Sequence, residues 1–200
     1  PHFIGADMGS IDPGPHYLGS GQMAAPRAMV KRDLALLLDA AVGAGIPLII
    51  GSAGTAGASP HLEATVTLLR EVAAERGHSL RLATVASDVP PDTVLQALRA
   101  GRLAPIGPMP QPTEAEVLSC SHIVGQCGTD TLARALATDP DVLLAGRACD
   151  TAIFAALPQL LGYPMALALH MAKIIECTSL CCRPGGRDAM LAELDMDGFT

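Results

Sequence analysis

Ionisable and hydroxyl-bearing residues gather in three glycine-rich stretches, each directly behind a short aliphatic run. The first, Asp7 to Gly21, carries the carboxylates Asp7 and Asp12 with His16, Tyr17 and four glycines. Loops of this length in compact domains are either functional or disordered, and Pro13 and Pro15 argue against disorder. Two carboxylates in one loop suit general acid–base work, or the capping of turns. The second stretch, Gly51 to His61, spaces its glycines as GxxGxxG and opens a helix. Its small residues Ser52, Gly54, Thr55 and Gly57 would let backbone N–H groups approach a carboxylate or phosphate at a helix N-terminus. It is neither the dinucleotide GxGxxG nor a P-loop GK[ST], so it points to a carboxylate or phosphate more than to a nucleotide. His61 adds an acid–base group. In the third stretch, Gly146 to Thr151, Arg147 can fork onto a carboxylate. Asp150 can cap a helix or act as a base. Cys149 reads as a buried thiol.

A fourth group lies on a helix. His170, Lys173 and Cys177 are spaced by three and then four, which places them on one face with Glu176 at its edge. Polar groups in an otherwise apolar helix must find partners or line a cavity. Lys173 there would serve as a base or as an anion clamp. Asp7, Asp12 and Asp150 together would offer hard oxygen ligands to a divalent ion such as magnesium.

The elements that must position these residues alternate. Short apolar runs at 3–6, 47–51, 80–85, 122–125 and 142–146 read as strands buried on both faces. Between them the apolar spacing is helical: Val30, Leu34, Leu37, Leu38 and Ala41 end at Gly43 or Gly45, and Leu62, Val66, Leu69 and Val72 end at Gly77. Ser59-Pro60 reads as an N-cap and first helical residue, Pro90-Pro91-Asp92 opens a third helix, and Thr113 with Glu116 forms a capping box. Further helices are expected at 129–137, 148–161 and 165–181, and a last strand from Met190. The order predicts an α/β fold with a doubly wound, mostly parallel sheet of five or more strands and helices on both faces, over residues 1–200 as a single domain. The segment Pro105 to Pro112 is a stiff connector within it.

Composition narrows the function classes. The chain has 200 residues, half of them hydrophobic, no Trp, two Tyr and three Phe, and a net charge of −7. That excludes the basic, aromatic surface of a nucleic-acid binder. Residues 151–172 contain no charge, but Pro158, Gly162 and Pro164 break the stretch into two buried helices, so no membrane partner is expected. Six cysteines with no CxxC pair fit reduced thiols in a cytoplasmic protein.

Four stretches carry a resemblance: GADMGSIDPGPHYLGSG from Gly5, VKRDLALLLDAAVGAGIPLIIGSAGTAG from Val30, LAGRACDTAIFAA from Leu144 and ALHMAKIIEC from Ala168. Together they resemble the acyclic terpene utilisation protein A family of bacteria. The resemblance implies an N-terminal part of a longer chain and a role in the catabolism of branched compounds such as citronellol and geraniol, which passes through acyl-CoA esters. It supplies a pathway and no mechanism.

The expectation is therefore a catabolic enzyme acting on a small carboxylate or acyl-CoA ester by hydratase- or lyase-type acid–base chemistry. Asp7, Asp12, His61, Asp150, His170 and Lys173 would supply the acid–base groups; Ser52, Gly54, Thr55, Gly57 and Arg147 would bind the anion. Two alternatives stand beside it: a non-catalytic ligand-binding or scaffold subunit, and a metal-dependent hydrolase. A homo-oligomer or a partner subunit fits each.

Overall fold

The computed structural model describes residues 1–177, 181 and 189–200. Four strands, β1 (Ile4–Asp7), β2 (Leu48–Gly51), β3 (Leu82–Val85) and β4 (Val142–Ala145), form one all-parallel sheet in the order β1-β2-β4-β3. Side chains alternate across the pleat, and the two central strands are buried on both sides. Leu48, Ile50, Val142 and Leu144 face one layer; Ile49, Leu143 and Ala145 face the other.

The first layer is α2 (Arg27–Ala44) and α3 (Ser59–Arg76), which bury Val30, Leu34, Leu38, Leu62, Leu69 and Val72. Gly45 and Gly77 end them in left-handed conformation, as their positions in the sequence predict. The second layer is α6 (Thr129–Leu136), α7 (Asp150–Leu160) and α8 (Met165–Cys177). The uncharged stretch from Thr151 thus divides at Gly162–Pro164, and no helix among the described residues is long and apolar enough to cross a membrane. The short helices α1 (His16–Ser20), α4 (Pro91–Arg99) and α5 (Glu114–Ser119) lie in the connections, α5 behind the Thr113–Glu116 capping box.

Three expectations are corrected. The run 122–125 is not a fifth strand. It makes a single antiparallel bridge, Asp88 with Val124, through Val89 N–H to Ile123 O and Gly125 N–H to Ser87 O. Pro90 and Pro91 have no N–H, so the pairing stops there. Residues from Met190 likewise form one bridge, Leu194 with Phe199. Ser59 is the first residue of α3 and not its cap; Ala58 holds the cap position, and the Ser59 hydroxyl donates to Asp88 Oδ2 at 2.7 Å. The expected continuation of α8 to 181 runs through 178–180, and Cys182 is also outside the described residues.

The second layer lies close on the sheet because β1 and β2 present glycines to it. A Cβ on Gly5 would stand 2.6 Å from Phe154 Cε1, and one on Gly51 would stand 2.3 Å from Ile153 Cδ1. Ile153 is fully buried and has nowhere to retreat. Gly51→Ala is expected to lower the unfolding free energy by roughly 1–3 kcal/mol through overpacking. Gly43→Ala, on an exposed turn of α2 with nothing within 4 Å, is expected to raise it by about 0.5–1 kcal/mol. Urea denaturation of both variants checks the pair, and a Gly51→Ala protein as stable as wild type contradicts the packing account.

Candidate functional site

Because the sheet is parallel, Asp7, Gly51, Val85 and Ala145 end on one rim, and the loops behind them meet there. The chain leaves β2 for α3 in the first layer and leaves β4 for α7 in the second. Where neighbouring connections depart to opposite faces a crevice opens, the usual ligand position in such sheets. Here the crevice is filled by Arg147.

Arg147 is 4% exposed. Its Nη1 donates to Thr55 O at 3.0 Å; its Nη2 faces Gly9 O at 3.2 Å, Ser52 Oγ at 2.5 Å, Ala148 O at 3.0 Å and Asp150 Oδ1 at 3.2 Å. One guanidinium thus joins the exits of β1, β2 and β4. The Arg147 carbonyl reaches β3 as well, accepting from Ser87 Oγ at 3.1 Å and from the Cys127 amide at 3.0 Å. Residues 7–9, 52–57 and 147–150 therefore share one side of the molecule, as an active site assembled from strand ends requires.

The roles inside that cluster differ from those read in the sequence. Residues 51–58 are buried throughout. Their amides turn to the protein's own carbonyls: Ser52 to Gly146 O, Ala53 to Ala145 O, Thr55 to Ser52 O and Gly57 to Ala53 O. A Cβ on Gly57, whose φ is +75°, would stand 2.1 Å from the Arg147 nitrogen. Gly57 thus lets two backbones of this chain come together, and its approach is taken by the Gly146–Arg147 backbone. Arg147 likewise spends its donors internally, so neither Ser52, Gly54, Thr55 and Gly57 nor Arg147 is arranged as an open anion cradle. Ser52 (φ 54°) and Thr55 (φ 84°) hold left-handed conformations that cost about 1–3 kcal/mol each. The Thr55 hydroxyl is fixed by Met8 O at 3.2 Å.

Asp7 is the chemically distinctive group. It ends β1 on the α7 side, and its Oδ1 is buried without a hydrogen-bond partner. Burial, reinforced by the negative charge of Asp150, pushes its pKa up to about 6 against the pull of Ser52, the Gly9 amide and Arg147. Asp150, at the start of α7 with a side chain 33% exposed, also titrates above the usual carboxylate range; burial raises it more than Arg147 lowers it. Glu176 and Asp12 push Asp150 further up and Lys173 pulls it down, so those three charges lie around the same carboxyl.

The remaining candidates are dispersed. Asp12 is exposed on the first loop, and among the described residues no three of His, Cys, Asp or Glu are gathered closely enough to hold a metal ion. The Asp7–Asp12–Asp150 set is therefore not gathered among the described residues; the cation that acts on Asp7 and Asp150 is Arg147. His61 is fully buried, and its Nε2 meets Tyr17 O at 2.9 Å and Gln22 O at 3.2 Å. Both partners are acceptors, so Nε2 carries the hydrogen and His61 pins the first loop to α3. His170 is exposed and lies edge-on to Phe199, with ring centroids 5.1 Å apart. Lys173 is 67% exposed and ion-paired with Glu176, which raises its pKa and keeps it a cation. The sequence reading missed Ser87. It follows β3 by two residues, at the strand-exit position that the other site residues hold behind their strands.

Grooves in the surface of the described residues include one of about 500 Å³ between α2 and α3 on the outer layer and one of about 220 Å³ at the β3 exit beside Asp88 and His122. Asp7 lines neither.

Two consequences are measurable. Breaking a buried ion pair by removing one partner costs about 3–5 kcal/mol, and Arg147→Met is expected to fall in that range by chemical denaturation. For Asp7 the folded pKa lies above the unfolded value of 3.8. Ionisation therefore opposes folding, and stability falls as pH rises from about 4 through 6. Asp7→Asn is expected to be more stable than wild type by on the order of 2 kcal/mol at pH 8 and to lose that advantage below pH 4. A constant difference across that range contradicts the assignment.

Comparison with known proteins gives one result: the family model for the acyclic terpene utilisation family protein AtuA matches residues 27–191. Searches of the curated proteins and of the solved structures return no match. The family match spans most of the 200 residues and includes β2, β3, β4 and Arg147, and the chain belongs to the AtuA family.

Proposed function

We propose that this protein catalyses proton transfer on a small carboxylate or acyl-CoA ester, by hydration, dehydration or abstraction beside a carbonyl, within the breakdown of acyclic terpenes. One observation carries the reading: a buried carboxyl, Asp7, with an unpartnered oxygen and a pKa near 6 beside a second carboxyl, Asp150. Burying an ionisable group without completing its hydrogen bonds is unfavourable, and such groups cluster at catalytic sites. A general base is most effective when its pKa lies near the working pH.

The chemistry balances on Asp7. In a hydration, the Asp7 carboxylate takes a proton from water as the water oxygen bonds to the β-carbon, and the Asp7 carboxyl then delivers that proton to the α-carbon, which restores the carboxylate. Asp150 supplies the neighbouring negative charge that raises Asp7. Arg147 holds the two carboxyls apart in role: it contacts Asp150 directly and acts on Asp7 only through space. The family name supports the terpene context. The acyl-CoA form of the substrate rests on the pathway that the resemblance implies.

The internal use of Arg147 and of the amides of residues 52–57, which leaves no open anion cradle there, favours a second reading, a ligand-binding or scaffold subunit without chemistry of its own. Incubation with β-methyl-branched enoyl-CoA esters in D2O separates the two, with mass spectrometry for deuterium uptake and for addition of water. The enzyme reading expects turnover whose rate climbs from pH 5 to 7 and then levels off, and a loss of about 10²–10⁴-fold in Asp7→Asn. Binding without exchange or hydration supports the second reading, and turnover that survives in Asp7→Asn removes the proposed base.

A further inference from the structure

Arg147 is sealed inside the strand exits, so an anionic ligand must meet a different cation at this rim. We infer that Lys173 is that cation: it receives the anionic group of the substrate, a carboxylate or a phosphate, at the mouth of the Asp7–Asp150 site. The inference rests on the acid–base reading for the position of the reacting end of the substrate.

Lys173 sits on α8, which packs along α7, and Asp150 is the first residue of α7. The ion pair it makes is asymmetric. The Glu176 side chain is 6% exposed and the Lys173 side chain 67% exposed, so the carboxylate is fixed in the protein while the ammonium stands in solvent. Both Glu176 oxygens are used, Oε1 by Lys173 and Oε2 by the Cys177 thiol at 3.1 Å. An ammonium has three donors. Glu176 takes one, and among the described residues no second hydrogen-bond acceptor meets the other two. The Lys173 charge acts on Asp150 across the packed α7–α8 pair, so the ammonium lies within electrostatic reach of the carboxyl that flanks Asp7.

The two cations at the rim are thus divided in function. Recruiting Arg147 to a ligand would strip a buried guanidinium of its internal acceptors and separate three strand exits. Recruiting Lys173 breaks nothing. Glu176 anchors the ammonium in place, which lowers the ordering cost of binding. The negative charges of Asp7, Asp12, Asp150 and Glu176 would otherwise repel an anion from this rim, and Lys173 offsets them where a ligand would enter.

The test measures binding of three unreactive probes to the full chain by calorimetry: coenzyme A, pantetheine, which lacks its phosphates, and 3-methylbutanoate. Wild type, Lys173→Met and Lys173→Arg are compared, each below its own Tm: Lys173→Met leaves the largely buried Glu176 carboxylate without its cation and is expected to lower the Tm, whereas Lys173→Arg keeps the pair. Lys173→Met should weaken an anionic probe about tenfold, Lys173→Arg should restore most of it, and added salt should weaken wild type more than Lys173→Met. Loss confined to coenzyme A identifies a phosphate, and loss of 3-methylbutanoate a carboxylate. Wild type that binds neither anion, or Lys173→Met that binds both as wild type does, overturns the inference. Because no probe reacts, the proton-transfer reading fails separately: Asp7→Asn that binds coenzyme A and still turns over leaves Lys173 standing and removes Asp7.

Discussion

A cation removed from water must be met by acceptors at every donor, and the rim of this sheet is built around that constraint. Arg147 satisfies it with carbonyls and side chains drawn from behind β1, β2 and β4. Its own carbonyl extends the connection to Ser87 behind β3. Gly57 must be small because it lies against the backbone of Gly146 and of this arginine, and Ser52 and Thr55 must accept unfavourable backbone angles to bring their oxygens to it. Asp7 and Asp150 then inherit their positions from the same assembly.

Several local costs coincide at this rim: an ionisation opposed by burial, two non-glycine residues in left-handed conformation, and a carboxyl oxygen without a donor. No gain in stability accounts for keeping Asp7 there. Asparagine or leucine would suit the site better if folding alone were served. Strain and perturbed titration gathered at the carboxyl ends of parallel strands are what a reactive site requires. The opposite rim is different: Arg81 meets Asp139 and Asp141 there in exposed ion pairs that serve the joining of β3 and β4.

Much of the fold is legible in the sequence because one-dimensional patterns report it. Continuous aliphatic runs mark β2 and β4, periodic leucines mark α2 and α3, and glycines mark their ends. The run at 122–125 shows the limit, since hydrophobicity cannot distinguish a strand from an extended segment whose would-be partner continues into Pro90 and Pro91. The site is legible in position, because strand exits can be counted, and less so in role. Nothing in the spacing of Gly51 to Gly57 distinguishes backbone approaching a ligand from backbone approaching backbone. The direction an arginine turns depends on acceptors more than ninety residues away, as with Ser52 and Thr55. His61 is a plausible base by type and a loop anchor by contact. Lys173 reads as a buried amine by its neighbours, yet it is held outside by its pairing with Glu176.

The strand order has a consequence for how the molecule comes into being. β4, the last strand in sequence among the described residues, lies between β2 and β3. As the chain emerges from the ribosome, the aliphatic edge Leu48–Gly51 has β1 on one side and no neighbour on the other until some ninety further residues have been made. Unpaired strand edges of this kind attract other chains, and distant parallel pairing is slow to form. Arrival of Val142–Ala145 closes both open edges at once, and Arg147, two residues later, locks the closure. Nascent protein stalled before residue 142 should therefore be the form most in need of a chaperone.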